Sequence, residues 1–127
     1  MLVVEDEPSI RDILVELFEV DSNTVVAAEY LPEALEKLRV QRFDLVVTDL
    51  RLGGKRDGGL QVMALAGMLS PDATVLALTA YPDDSNRQAS FRLGALHFLE
   101  KPVDLAIIAE HAMTAGVRTA LTVDGRE

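Results

Sequence analysis

Cysteine does not occur among the 127 residues, which excludes disulfides, thiolate metal sites and cysteine nucleophiles. No apolar run approaches the roughly 20 residues of a membrane-spanning helix, so no membrane partner is expected. The opening Met1-Leu2-Val3-Val4-Glu5-Asp6 lacks the basic stretch and the length of a signal peptide, and with the missing cysteines this points to a cytoplasmic chain. Positive charge is scarce: 12 Lys and Arg stand against 21 Asp and Glu, a net charge of −9. A chain so charged does not grip nucleic-acid backbones directly. Its acidity suits a protein that handles a cation or docks on a basic surface. Internal repeats and low-complexity segments are also missing, and the length is that of one domain.

What the chain does have is a series of short, continuous apolar runs, each ending in a polar residue. Phe43-Asp44-Leu45-Val46-Val47-Thr48-Asp49 is the most pronounced. Apolar residues on consecutive positions, rather than alternating ones, read as a parallel strand buried on both faces. Asp49 then lies at the carboxyl end of the strand, the edge at which open α/β sheets bind ligands.

Four further strands read similarly: residues 1–4, 24–30, 73–80 and 97–102. Helical patterns fill the gaps. Pro8 opens one whose apolar positions are Ile10, Ile13, Leu14, Leu17 and Phe18, ending near residues 21–23. Pro32 opens a second, with Ala34, Leu35 and Leu38 on its apolar face. A third runs from Leu60 to Leu69 and stops at Ser70-Pro71. Residues 83–93 form a polar helix started by Asp83-Asp84-Ser85, and Asp104 caps a last one that extends as far as Leu121. Five strands alternating with five helices imply a doubly wound parallel sheet, flavodoxin-like, of the (βα)5 kind. With strand order 2-1-3-4-5 the switch point falls between strands one and three. Glu5, Asp6 and Asp49 then meet.

Three converging carboxylates repel one another by about 4 kcal/mol per contact at about 4 Å and an effective dielectric near 20. A hard divalent cation relieves this, and oxygen-only ligands select Mg²⁺ before zinc or copper. Thr79, ending strand four, and Lys101, ending strand five, reach the same edge with a hydroxyl and a cation. Carboxylate nucleophile, metal, fixed cation and hydroxyl donor are the parts of phosphoryl transfer. Taken singly each has a plainer reading: a solvated first helical turn at Glu5-Asp6-Glu7, a loop-capping acid at Asp49, a core ring at Phe98. His97 and His111 are read as structural, Arg87 and Arg92 as a solvated helix face, and Asp57 as a turn residue.

Glu5-Asp6, Asp49, Thr79-Ala80 and Lys101-Pro102, in this order and over nearly the whole chain, resemble the receiver domain of two-component response regulators. The resemblance implies a phosphorylation-dependent switch rather than an enzyme that turns over a substrate. Asp49 would be the phosphoacceptor, fed by a histidine kinase or a phosphotransfer protein. Glu5, Asp6, Asp49 and the backbone carbonyl of Arg51 would hold Mg²⁺, while Lys101 would pair with the phosphoryl group. Thr79 and Phe98 would be the switch hydroxyl and aromatic, acting on the surface of helix four, strand five and helix five. Arg51 and Tyr81 occupy the positions that tune phosphoryl lifetime, and two large side chains there predict a long-lived phospho-form.

The chain also departs from the family. Gly53 stands where members usually have proline, and the loop after Asp49 is about two residues longer. Ala95-Leu96-His97 lacks the acidic residues of the transcription-factor subfamily that pairs through helices four and five. Residues 1–121 are the expected receiver domain and 122–127 a tail or the start of a linker; the effector is unspecified. Two rival readings are a haloacid dehalogenase-type phosphohydrolase, which typically has a second Asp where Arg51 stands, and a phosphorylation-independent pseudo-receiver, against which the complete acidic set argues.

Overall fold

A computed structural model describes residues 1–20, 23–53 and 57–121. Five strands, β1 (Leu2–Val4), β2 (Val26–Ala28), β3 (Leu45–Asp49), β4 (Thr74–Thr79) and β5 (Ala95–Glu100), alternate with α1 (Pro8–Phe18), α2 (Leu31–Val40), α3 (Gly58–Leu69), α4 (Asp84–Arg92) and α5 (Leu105–Thr114). All strand pairs are parallel, in the order β2-β1-β3-β4-β5. The continuous apolar runs are explained by the two cores they separate. Leu2, Val4, Val46 and Ala77 face Leu38, Val62, Met63 and Ala66 of α2 and α3. Their neighbours Val3, Val47, Leu76 and Leu78 face Leu14, Leu17 and Phe18 of α1 and Ile108 and Ala112 of α5. Each central strand thus buries side chains on both sides.

Several boundaries differ from the sequence reading. β2 keeps only three of the seven residues expected of it, because β1, its only partner in the sheet, is itself only three residues long. β5 starts two residues earlier than expected and ends at Glu100, so Lys101 lies just beyond it. α5 stops at Thr114, well short of Leu121: Gly116 adopts φ +83°. Its N–H donates to the Met113 carbonyl, and that of Val117 donates to the Ala112 carbonyl. This pair of bonds is the glycine-terminated helix stop in which the following apolar residue turns back onto the core, and Val117 is indeed buried. Ile13, expected on the apolar face of α1, is 45% exposed. It sits about 100° around the helix from Leu14. The expected tail at 122–127 and the centre of the β3–α3 loop, 54–56, lie outside the described residues.

The caps follow the sequence more closely. Pro8 takes the first turn of α1, where its missing N–H costs nothing. Asp83 accepts the Asn86 N–H at 2.7 Å, and Asp104 accepts that of Ala106 at 3.0 Å. α4 buries only Ser90 among its residues and is held mainly against β5.

Candidate functional site

The register of the sheet assembles the site. Val4 pairs with Thr48, which brings Glu5 level with Asp49 where β1 and β3 end. Thr79 pairs with Glu100, and the Lys101 N–H donates to the Thr79 carbonyl at 2.8 Å. Four strands therefore deliver their polar terminal residues to one edge without any long-range loop being needed. Carboxylate oxygens of Glu5, Asp6 and Asp49 lie within 4.8 Å of one another. Glu5 is fully buried and Asp49 nearly so.

Lys101 is the one cation in this cluster among the described residues. Its ammonium donates to Asp49 Oδ2 at 3.0 Å and stands 2.9 Å from Glu5 Oε1, with Glu7 Oε1 at 3.8 Å. The Lys101 ammonium is the only group that Glu5 Oε1 meets among the described residues. Burial pushes the Glu5 carboxyl from its ordinary 4.5 up to about 7; Lys101 opposes this and the Asp49 charge adds to it. Burial alone would lower the Lys101 pKa, but the Glu5 and Asp49 carboxylates overcome that and raise it. A pocket with three carboxylates and a single ammonium is short of positive charge. Its oxygen-only donors match a hard divalent cation.

Over this edge opens a cavity of about 590 Å³ lined by Leu50, Arg51, Thr79, Tyr81, Asp83, Ser85 and Asn86. Thr79 is buried, and its Oγ1 accepts the Tyr81 N–H at 2.9 Å. The Arg51 guanidinium lies 4.4 Å from the centre of the Tyr81 ring, a cation–π contact. The Arg51 N–H reaches Asp49 Oδ1 at 3.4 Å. Phe98 is apart from this group: its ring packs at 6.5 Å against that of Phe91, and it lines a different cavity with Pro82, Asp83, Asp84, Arg87 and Glu100. His97 and His111, which lacked any evident partner in the sequence, stack on each other at 3.5 Å between ring centres.

Sequence reasoning missed the contacts that two glycines make. A Cβ at Gly59 would come within 2.2 Å of the Asp49 carbonyl oxygen and 2.6 Å of the Leu50 Cα, and the Gly59 N–H donates to the Leu50 carbonyl at 2.8 Å. Only a hydrogen fits between the start of α3 and the backbone that carries the acceptor. The Gly53 N–H donates to Asp6 Oδ2 at 3.0 Å. Glycines between 53 and 59 mark a flexible connection in which left-handed angles are easy, but they do not announce these contacts.

The chain matches the family model for the response regulator receiver domain over residues 1–113. It is 37% identical over 116 residues to the response regulator protein PilR of Pseudomonas aeruginosa, an alignment covering 90% of this chain and 25% of PilR. The chain therefore spans about a quarter of the length of that relative. Among solved structures it is similar to a response regulator protein from Burkholderia pseudomallei crystallised with a phosphorylated aspartic acid, a calcium ion and citrate. There the TM-score is 0.77 at 30% identity, covering 91% of this chain and 67% of the other. It is also similar to a CheY-like response regulator receiver domain protein from Methanospirillum hungatei JF-1, with a TM-score of 0.81 at 26% identity and 89% of each chain covered.

Proposed function

The chain belongs to the family of response regulator receiver domains, and from that premise we propose that Asp49 is the phosphoacceptor of a signalling switch. The observation that carries the reading is the shared edge itself: a buried acceptor carboxylate held at 3.0 Å by Lys101, beside two more carboxylates, one of them fully buried. The phosphorylated aspartic acid and calcium ion of the Burkholderia protein support it. Glu5, Asp6, Asp49 and the Arg51 carbonyl would hold Mg²⁺. When bound, the cation offsets the carboxylate charge and the charge of the phosphoryl oxygens.

The donor is a phosphohistidine of a kinase or phosphotransfer protein. A carboxylate oxygen of Asp49 attacks phosphorus, the P–N bond to the donor histidine breaks with its electron pair returning to the imidazole, and an acyl phosphate results. Lys101 turns from the bare carboxylates to the new phosphoryl group, and the Thr79 hydroxyl gains an acceptor. Because phosphate interacts better with one arrangement of these two residues, it biases α4, β5 and Phe98 toward it. α4 suits that part, since it buries so little of its own surface. The receiver unit is residues 1–121, and its output passes to an effector domain or protein. Among the described residues no helix is long and apolar enough to cross a membrane. The phosphohydrolase alternative is disfavoured by Arg51, which occupies the place of its general acid.

Beryllofluoride, a phosphoryl mimic, tests the switch by nuclear magnetic resonance. With Mg²⁺ present it should move the amide signals of Thr79, Phe98 and α4 in the wild type. Asp49→Asn should abolish the movement. Thr79→Val should retain shifts around Asp49 but lose those of Phe98 and α4. Shifts confined to Asp49 in the wild type would show a chain that takes the mimic without switching.

A further inference from the structure

Gly53, which stands where proline is usual in the family, makes a specific contact. Gly53 has φ +56°, a left-handed angle that proline, fixed near −65°, cannot take. Space does not demand glycine here, because a Cβ would meet nothing within 4 Å. What remains is the backbone. The Gly53 N–H points at Asp6 Oδ2, 3.0 Å away and 47 residues apart in sequence, and proline would have no N–H to offer. At the other end of the same loop, the Gly59 contacts press α3 onto the backbone of Asp49 and Leu50. The loop after the acceptor is thus fastened at one end to the acceptor strand and at the other to a second carboxylate of the site.

We infer that Gly53 is a positioning residue for Asp6: its N–H fixes the carboxylate through Oδ2 and leaves the remaining oxygen for a divalent cation. The inference rests on the cation-binding reading of Glu5, Asp6 and Asp49. Asp6 is only partly buried, and a carboxylate at the surface otherwise samples several rotamers that must be given up on binding. A backbone donor removes that freedom in advance. Hydrogen bonds to ligating carboxylates commonly contribute about 10- to 100-fold in metal affinity. The longer glycine-bearing loop then takes over, by a backbone contact, the ordering of this region that a proline would impose through its ring. The cation and the loop are linked: whatever displaces Gly53 from Asp6 weakens the cation, and the cation, by engaging Asp6, restrains the loop.

The test is Mg²⁺ titration of the 127-residue chain by calorimetry, with Gly53→Pro and Gly53→Asn beside the wild type. Asparagine keeps the N–H and tolerates left-handed angles, so Gly53→Asn should bind Mg²⁺ within about two-fold of the wild type, whereas Gly53→Pro should bind about 10- to 100-fold more weakly. A readout that involves no loop substitution is the Gly53 amide in metal-free protein. Its downfield shift and slow exchange should disappear in Asp6→Ala. A folded Gly53→Pro that binds Mg²⁺ like the wild type, or a Gly53 amide indifferent to Asp6→Ala, overturns the inference alone. A wild type that binds no Mg²⁺ overturns the cation reading and the inference together.

Discussion

Glu5 offers a sharp quantitative test of the electrostatics, because it is fully buried and its carboxyl is lifted from 4.5 to about 7. An acid whose pKa is raised on folding binds its proton more tightly in the native state than in the unfolded one. Its contribution to stability is therefore complete below 4.5 and is lost as pH rises through about 7. The span between the two values corresponds to about 3 kcal/mol, most of it lost between about pH 5 and pH 8. That is a large share of the roughly 5–15 kcal/mol typical of a small domain. The assay is urea unfolding with a chelator present, at a series of pH values, for wild type and Glu5→Gln. The variant keeps the shape and removes the titration, so subtracting it cancels the groups outside the Glu5, Asp49 and Lys101 cluster. The difference should favour the wild type progressively less as pH rises, by an amount on the order of 2–3 kcal/mol between pH 5 and 8. Saturating Mg²⁺ should restore wild-type stability at about pH 8 and leave Glu5→Gln far less affected. A difference that stays flat, or grows with pH, would refute the description of Glu5 as a carboxylate starved of positive charge.

Other substitutions probe other parts of the site. Lys101→Met should destabilise the metal-free protein at pH 8 by about 3–5 kcal/mol, since it strands two buried carboxylates; lowering the pH should recover much of this, as unfolding curves at about pH 5 and 8 would show. Gly59→Ala should cost about 3 kcal/mol or more, because a methyl group 2.2 Å from the Asp49 carbonyl forces the backbone to move; thermal melting checks it, and a wild-type melting temperature would contradict the clash. Arg51→Ala and Tyr81→Ala should each speed loss of the phosphoryl group by roughly two- to five-fold, the worth of one exposed cation–π contact. The double variant should be little faster than either single one, as decay followed by intact mass would report.

The central sheet and the acidic edge were legible because buried parallel strands carry apolar residues on consecutive positions. A polar residue that interrupts such a run marks where the strand emerges. Asp49, Thr79 and the Glu5-Asp6 pair were all found in this way. Edge strands gave a weaker signal: the run 24–30 extends to both sides of Val26–Ala28, where β1 has no further residues with which to pair. The end of α5 was hidden for a similar reason, since Val117 and Leu121 continue an apolar pattern while Gly116 has already turned the chain. Contacts made by backbone groups do not reveal their partners in residue identity. That is why the Gly53 N–H on Asp6 and the closeness of Gly59 to Asp49 appear only in three dimensions. The stacking of His97 on His111 joins β5 to α5 across a separation no periodicity reports.

The most direct test of the phosphoacceptor assignment is intact-protein mass after incubation with acetyl phosphate and Mg²⁺, followed by borohydride reduction, which converts an aspartyl phosphate to homoserine. One phosphoryl adduct is expected, dependent on Mg²⁺ and missing from Asp49→Asn, with homoserine in place of Asp49 after reduction. An adduct that survives in Asp49→Asn, or homoserine at another position, would contradict the assignment. So would a wild-type chain that binds Mg²⁺ yet takes no phosphoryl group either from acetyl phosphate or from a phosphohistidine donor.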